Sequence, residues 1–386
     1  MNNLSIRNVR PMGGAACDIH IADGVMVMEG IDDADHLDGA GALVLPAFVD
    51  AHMHLDKTLW GLPWRAHSAG KSLAEKIANE RTARAELGAD TARQAEKLIA
   101  QAMMNGTAAI RSHVDIDPDL GLSNVETLLR IKTEYADRVD IQLVAFPQTG
   151  IIRRPGTAEL METAIKLGVD LVGGIDPQVI DGDAKAHIRT IFDIAERTGA
   201  GIDIHHHEEG ETGADTLDLI LDAVDAYALQ GRVTVSHGFC IGMVSESRMQ
   251  SLMDRIAALD VAVITSAPGY KPFPPLDEMR TRNIRAAAGS DGVRDVWTPF
   301  GNADMLERAM LLAYRSNYRR DDELAFALEM STQGGARVMG LDRHGPGLGC
   351  RADLVLIDAE NVADAVVSRP AHRTLIKAGR VIAAPA

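Results

Sequence analysis

The sequence predicts an α/β fold, a (β/α)8 TIM barrel with a small β-sandwich domain formed by both chain termini. In the middle of the chain, short apolar runs alternate with charged segments rich in Ala, Leu and Glu that have helical spacing. Strands that alternate with helices indicate a parallel sheet, and eight such units across roughly 250 residues match the barrel. At both ends of the chain, short stretches of alternating polarity broken by Gly and Asp are typical of β-strands.

The predicted elements follow in order along the chain. The N-terminal region contains LSIRNV, CDIHIADGVMVM and GALVLP, and the tail contains ADLVLID and HRTLIKAGRVIAA. We therefore assign residues 1–46 and 345–386 to the β-sandwich domain and residues 47–344 to the barrel. The predicted barrel strands are the apolar runs at residues 43–54, 107–116, 140–146, 169–175, 200–205, 231–237, 259–265 and 284–291.

Composition and charge exclude several classes of partner. The formal net charge of −16 disfavours a nucleic acid or an anionic membrane, because either would require a basic face. No apolar stretch reaches the length of a membrane span. Cys17, Cys240 and Cys350 are too few and too scattered for a disulfide framework, which favours a reducing, cytoplasmic location. We expect a small molecule as the partner.

The segment VDAHMHLD at residues 49–56 ends the first predicted barrel strand and holds two histidines two positions apart. Side chains alternate between the faces of a strand, so His52 and His54 point the same way while Met53 points the other way. This geometry suits two ligands to one metal ion. An ordinary pair of strand histidines is the alternative interpretation.

Polar side chains recur at the carboxyl ends of later predicted strands, where barrel enzymes carry their working residues. These side chains are His113, Gln148, His205, His237 and Asp291. Three imidazoles and one carboxylate suit one Zn²⁺ or Fe²⁺ ion with a position left for water. The predicted ligands are His52, His54, His205 and Asp291. We expect His113 to pack behind them rather than to bind the ion.

The motifs PAFVDAHMHLDKT, RSHVDID, LVAFPQTGI, IDIHHHEEGE, RVTVSHGFC and GSDGVRDVWTPFGNADML resemble those of the amidohydrolase superfamily. They are most similar to its cytosine deaminase-like branch, which includes enzymes that act on N-isopropylammelide. The resemblance runs from about residue 4 to residue 383. It implies a barrel with a terminal sheet domain, one divalent metal ion per chain, and assembly into a homo-oligomer.

The resemblance also implies roles for individual residues. Glu208 corresponds to the acid that moves protons to the heterocycle in cytosine deaminases, and His237 corresponds to the histidine that orients the attacking water. Gln148 and Trp297 match positions that hold the ring. His207 aligns with a second histidine of the triazine-type relatives, so proton transfer is open between His207 and Glu208.

The implied activity is hydrolytic deamination of an amino-substituted nitrogen heterocycle, with attack of a metal hydroxide on the amine-bearing ring carbon and release of ammonia or an alkylamine. This is hydrolysis of a C–N bond other than a peptide bond. Cytosine deaminases carry a second Asp after the metal-binding Asp, and here that position is Gly292. A pyrimidine related to cytosine or isocytosine and an amino-triazine both remain open as substrates.

Two alternatives compete with this interpretation. Cyclic amide hydrolases of the hydantoinase or dihydroorotase type bridge two metal ions with a modified lysine at the end of strand four, but that strand ends here in GGIDPQ. A non-catalytic scaffold with the same fold is the other alternative, although such a protein would have no reason to keep a full ligand set.

Overall fold

A computed structural model describes residues 3–67, 70, 73–269, 271–341 and 343–384. Its strands form two sheets, one around the middle of the chain and one drawn from both ends. Strands of the middle sheet are β6 (Phe48–Met53), β7 (Thr107–Asp115), β8 (Asp140–Phe146), β9 (Leu171–Ile175), β10 (Gly201–His206), β11 (Val233–His237), β12 (Ala262–Thr265) and β13 (Ala286–Ala288). Strands of the terminal sheet are β1 (Leu4–Pro11), β2 (Cys17–Ala22), β3 (Val25–Val27), β4 (Asp35–Asp38), β5 (Leu43–Pro46), β14 (Leu354–Ile357), β15 (Arg373–Lys377) and β16 (Arg380–Ala383).

The eight middle strands form a nearly closed parallel barrel, as predicted. Neighbouring strands pair in sequence order from β6 to β13. A bridge between Met53 and Asp291 brings the first strand to the residues that follow the last one. The backbone N–H of Asp291 donates to the carbonyl of His52 at 2.8 Å. The carboxyl ends of all eight strands therefore meet at one face.

Helices follow the strands and cover the outside of the barrel. They are α1 (Leu73–Glu86), α2 (Thr91–Met104), α3 (Ser123–Glu134), α4 (Thr157–Leu167), α5 (Pro177–Asp181), α6 (Ala184–Thr198), α7 (Gly210–Ala226), a 3₁₀ turn (Phe239–Gly242), α8 (Glu246–Ala258), α9 (Leu276–Thr281), α10 (Met305–Arg315), α11 (Asp321–Met330), α12 (Gln333–Val338) and α13 (Val362–Ser368). Several begin at a side-chain cap, such as Asp90 before α2, Asp183 before α6 and Ser245 before α8, because these side chains satisfy free backbone N–H groups.

The largest hydrophobic core lies between the strands and these helices. It includes the fully buried Leu98 of α2, Phe192 of α6, Leu217 of α7 and Leu252 of α8. Each such side chain contributes about 1.5–3 kcal/mol by leaving water. The core holds the barrel rigid, so the side chains at its carboxyl-terminal face have fixed positions.

The terminal sheet is mixed and encloses a separate core. β1 pairs with β2 on one side and with β4 and β5 on the other, so it joins the two halves of the sheet. Apolar side chains from both halves, among them Ile19 and Ile21 from one and Leu354 and Ile376 from the other, pack into one cluster. The apolar run at 43–54 therefore serves both sheets, and the boundary proposed at residues 46 and 47 falls between β5 and β6.

Ion pairs attach this sheet to the amino-terminal side of the barrel. Lys377 Nζ lies 2.5 Å from Asp140 Oδ2 at the start of β8 and 3.0 Å from Asp353 Oδ2. The opposite, carboxyl-terminal face of the barrel is thus left for a site. Within the described ranges, none of the helices combines the length and the apolar character that crossing a bilayer requires.

Candidate metal centre

The four predicted ligands converge at the carboxyl-terminal face of the barrel. His54 Nε2 lies 3.3 Å from His205 Nε2 and 3.5 Å from Asp291 Oδ1, and His52 Nε2 lies 3.7 Å from the same oxygen. Ligand atoms arranged tetrahedrally around an ion at about 2.1 Å are about 3.4 Å apart. The three separations given above, 3.3, 3.5 and 3.7 Å, are close to this value and suit ligands of one small divalent ion.

The protonation states of His52, His205 and Asp291 also suit metal binding. Burial lowers the pKa of His52 and of His205 well below the usual value, and the surrounding imidazoles lower both further. Burial opposes ionisation of Asp291, but a hydrogen bond from His54 and the neighbouring His237 hold the pKa of that carboxyl well below its usual range. Neutral imidazoles and an ionised carboxylate are the forms that bind metals. The Asp291 side chain is 37% exposed, so solvent reaches this carboxylate.

A buried relay fixes the orientation of His52. His52 Nδ1 lies 2.9 Å from Ser236 Oγ, which donates to Asp203 Oδ1 at 2.7 Å. Arg111 Nη1 donates to the other Asp203 oxygen at 2.8 Å and keeps that carboxylate compensated inside the barrel. Because Ser236 uses its proton on Asp203, it accepts from His52 Nδ1–H, and the lone pair of His52 Nε2 faces the predicted ion. His52 Nε2 has no hydrogen-bond partner.

Removing this relay is expected to weaken metal binding. We expect Ser236→Ala to raise the metal dissociation constant about 10–100-fold, the usual effect of losing a partner behind a ligand. Competition with a chromophoric chelator measures this constant. The matched control is Ser331→Ala, since Ser331 is equally buried and its hydroxyl has no partner. Equal affinities for the two variants would mean that the relay does not orient His52.

His113 lies closer to the cluster than the sequence indicated. Its ring centroid is 4.2 Å from that of His52 and 4.3 Å from that of His205, and neither of its nitrogens has a hydrogen-bond partner. Two overlapping groups of ligand atoms each lie within 4.8 Å, namely His52, His113 and His205, and His52, His237 and Asp291. Burial lowers the pKa of His113 well below its usual value, so its ring is neutral beside the ligands.

His207 and His237 stack on each other above this cluster, with centroids 4.3 Å apart and ring planes 30° apart. Asp176, the residue directly after β9, accepts from the His207 backbone N–H at 2.6 Å, and its other oxygen lies 2.8 Å from Nδ1. Burial lowers the pKa of His207, but the Asp176 carboxylate outweighs this effect and raises that pKa above its usual value. Burial and the neighbouring His207 lower the pKa of His237 to about 3.

Glu208 lies in a different environment from His207. Its Oε1 accepts from the backbone N–H groups of Gln178 and Val179 at 2.7 and 2.8 Å, while its Oε2 is buried and has no hydrogen-bond partner among the described residues. His206 points to the opposite side of the strand from His205, with Nε2 2.9 Å from the carbonyl of Gly213. The structure therefore joins His207 to the imidazole cluster and attaches Glu208 to the start of α5.

Gln148 and Trp297 meet at a wall beside the imidazole cluster. Gln148 Oε1 accepts from Lys57, whose Nζ also lies 2.9 Å from Asp115 Oδ1. The same Nζ lies 5.0 Å from the Phe146 ring and 5.3 Å from the Trp297 ring. Phe146 stacks on His205 at 4.1 Å, so the wall adjoins the predicted ligands. Lys57 is thus the ion-pair partner of Asp115 and a member of this wall.

Backbone constraints hold the two sides of the site in place. His237 and Asp291 both have left-handed backbone, with φ of 74° and 62°, which costs about 1–2 kcal/mol for each residue with a side chain. Such strain is typical of functional positions. A Cβ at Gly289 would lie 2.5 Å from the Cβ of His52, so only glycine lets the last strand approach the first ligand.

Several known proteins resemble this chain over nearly its whole length. A family model described as the amidohydrolase family matches residues 35–383. The N-isopropylammelide isopropylaminohydrolase of Burkholderia multivorans is 43% identical, with a TM-score of 0.96 over 100% of this chain and 99% of its own. The 5-methylcytosine deaminase of Klebsiella pneumoniae, with 5-fluorocytosine bound, is 28% identical, with a TM-score of 0.85 over 99% and 98%.

A curated relative adds to this agreement. The N-isopropylammelide isopropyl amidohydrolase of Pseudomonas sp. is 28% identical over 90% of this chain and 88% of its own length. The family model alone spans most of the chain, including the strands that carry every predicted ligand. The chain belongs to the amidohydrolase family.

Proposed function

We propose that this protein is a metal-dependent hydrolytic deaminase of amino-substituted nitrogen heterocycles and that it prefers alkylamino-triazines of the N-isopropylammelide type. The observation that carries this proposal is the convergence of His52, His54, His205 and Asp291 at separations suited to one ion. The 43% identity with an N-isopropylammelide isopropylaminohydrolase supports the choice of substrate.

The four ligands would hold Zn²⁺ or Fe²⁺, since imidazole and carboxylate accept both. When bound, the ion would supply Lewis-acid activation of a water molecule at neutral pH. The neutral His237 ring is available to accept a proton from that water. The water oxygen adds to the ring carbon that carries the amine, and the C–N bond to the amine then breaks.

His207 is the proton donor in this proposal. The carboxylate of Asp176 favours the charged form of His207, while stacked His237 stays neutral. Two titratable groups whose environments push their pKa values apart are typical of an acid and base pair. His207 delivers its proton to the ring nitrogen as the water oxygen adds. The proton that His237 took from the water then passes to the departing amine, and the hydroxyl proton of the adduct returns to His207, so a ring carbonyl and a neutral amine are left. Glu208 has its Oε1 bound to two backbone N–H groups, so we assign it a lesser part in this transfer.

The residue after Asp291 argues against plain cytosine, because cytosine deaminases carry a second Asp at the position of Gly292. At Gly292, a Cβ would lie 2.3 Å from Asp295 Oδ2, so a second Asp would not fit there without displacing Asp295. Hydrolysis of a cyclic amide loses support because the fourth barrel strand, β9, is followed by Asp176, which contacts His207, and not by a lysine.

A panel of ring substrates tests the proposal. We expect the metal-loaded protein to act on N-isopropylammelide with a higher kcat/KM than on cytosine, isocytosine, 5-methylcytosine or pterin, and to release isopropylamine. Amine release measured by chromatography, with ammonia release measured by a coupled assay, gives the rates. Turnover of dihydroorotate or hydantoin together with inactivity on every amino heterocycle would contradict the proposal.

We further propose a cytoplasmic homo-oligomer. The family resemblance supports assembly, and the three cysteines, which are all free thiols, support a reducing location.

A further inference from the structure

Helix α1 lies over the wall that holds Gln148 and Trp297. Its Ile77 packs against the cluster of Phe146, Ile175 and Ile180. Lys76 Nζ on the same helix lies 5.8 Å from the centroid of the Trp297 ring. Phe146 in turn stacks on His205, so α1 is separated from the predicted metal ligands by one aromatic layer. Side chains on its inner face can therefore act on the substrate pocket.

Glu80 is the residue of α1 that enters this wall. Its side chain is buried, and its Oε2 accepts from Trp297 Nε1 at 2.6 Å and from Gln148 Nε2 at 3.1 Å. Hydrogen bonds to an ionised acceptor are about twice as strong as those between neutral groups. One carboxylate oxygen thus binds both of the side chains that are predicted to hold the heterocycle.

Charges on both sides fix the orientation of the Gln148 amide. Lys57 donates to its oxygen, and Glu80 accepts from its nitrogen. The reversed amide would place its nitrogen against an ammonium and its oxygen against a carboxylate, which is unfavourable at both ends. The indole of Trp297 is fixed in the same way, because its N–H has a charged acceptor.

We propose that Glu80 is a substrate-positioning residue, delivered by α1, that sets the orientation of Gln148 and Trp297 for the ring. The proposal rests on the proposed function, in which these two residues hold the heterocycle. Without Glu80, the Gln148 amide is free to reverse and the Trp297 indole is free to rotate. Substrate binding must then order both side chains, which weakens the affinity for substrate, whereas His207, His237 and the predicted metal ligands keep their positions.

Kinetics of Glu80 variants test the proposal. With N-isopropylammelide we expect Glu80→Ala to raise KM about 10-fold or more and to leave kcat within about 3-fold, the pattern of an interaction used in binding. Glu80→Gln keeps an acceptor oxygen without the charge, so its KM is expected to lie between those of Glu80→Ala and the wild type. The control is Glu86→Ala, which removes an exposed carboxylate from the same helix and is expected to change neither constant.

A second readout separates positioning from a general loss of structure. With Trp60 and Trp64 replaced by Phe, the emission reports Trp297 alone, and Glu80→Ala is expected to shift it while Glu86→Ala is not. A fall in kcat with unchanged KM, or equal changes in the Glu80 and Glu86 variants, would overturn the proposal. If Glu80→Ala does not fold, the same comparison of KM, kcat and emission is made between Glu80→Gln, whose side chain has nearly the native shape, and Glu86→Ala.

The two proposals can fail separately. If the wild type turns over no heterocycle, the proposed function fails, and the Trp297 emission then serves to measure equilibrium binding of N-isopropylammelide. Weaker binding by Glu80→Ala than by the wild type and Glu86→Ala would support positioning by Glu80. Equal binding by all three, or no binding by any, would overturn it.

Discussion

Asp291→Asn is expected to lower kcat/KM about 10³-fold or more and to lower the metal content of the purified protein. The change removes the one carboxylate among the four predicted ligands, and with it several kcal/mol of charge stabilisation that a held ion provides. Asn tolerates the left-handed backbone that Asp291 adopts, so the fold is expected to survive. Steady-state kinetics together with elemental analysis measure both effects.

The matched control for this prediction is Asp183→Asn. Asp183 caps α6 by accepting from the Ala186 backbone N–H, and Asn caps a helix about as well as Asp. The control therefore removes one carboxylate charge remote from the predicted ligands and is expected to keep full activity and metal content. Full activity of Asp291→Asn at wild-type metal content would exclude Asp291 as a ligand.

His207→Asn is expected to lower kcat about 10²–10⁴-fold while the metal content stays unchanged, since this is the usual contribution of a positioned general acid. Glu208→Gln is expected to lower kcat much less, because its Oε1 is used by the backbone of α5. A larger fall in kcat for Glu208→Gln than for His207→Asn would mean that Glu208 is the proton donor. Thermal unfolding of both variants shows whether either loss comes from the fold.

The pH dependence of kcat gives this assignment a second, independent check. The acid role requires protonated His207, so the rate falls as the pH rises through the pKa of His207, which Asp176 raises. Asp176→Asn removes the two largest effects that raise the pKa of His207, so this pKa falls and the alkaline limb moves to lower pH. If the alkaline limb of the pH profile does not move, Asp176 does not control the ionisation that limits kcat.

Most of the barrel could be predicted from the sequence because buried parallel strands are continuous apolar runs. The runs at 107–116, 140–146 and 231–237 correspond closely to β7, β8 and β11. The run at 43–54 covers two strands of different sheets, and the pairing of β5 with β1 and with β14 assigns the first of them to the terminal sheet. The run at 284–291 yields just three strand residues, because the chain leaves the barrel early to turn Asp291 inward.

The predicted ligands could be found because each ends or follows a strand, where the barrel brings side chains together. The residues that orient these ligands and His207 could not be found in this way. Asp203 and Ser236 lie within buried strands, and their relay to His52 depends on the register between β10 and β11. Asp176 follows β9, the fourth strand of the barrel, at a position where functional residues are common. Its contact with His207 depends on the left-handed backbone of Asp176 itself.

No feature of the sequence distinguishes Glu80 as a functional residue. It is one of several acidic residues in a charged helical segment, and only the path of α1 over the barrel separates it from its exposed neighbours. His113 was expected to pack behind the ligands, and sequence position alone cannot distinguish a ring that binds an ion from one that lies about 4 Å away from two ligands.

The measurement that tests the account most directly is the metal content of the wild-type protein by elemental analysis, before and after dialysis against a chelator, with deaminase activity followed in parallel. The account predicts close to one equivalent of Zn²⁺ or Fe²⁺ per chain, loss of activity in proportion to the metal removed, and recovery when the metal is restored. Full activity in metal-free protein, or two equivalents per chain, would contradict it.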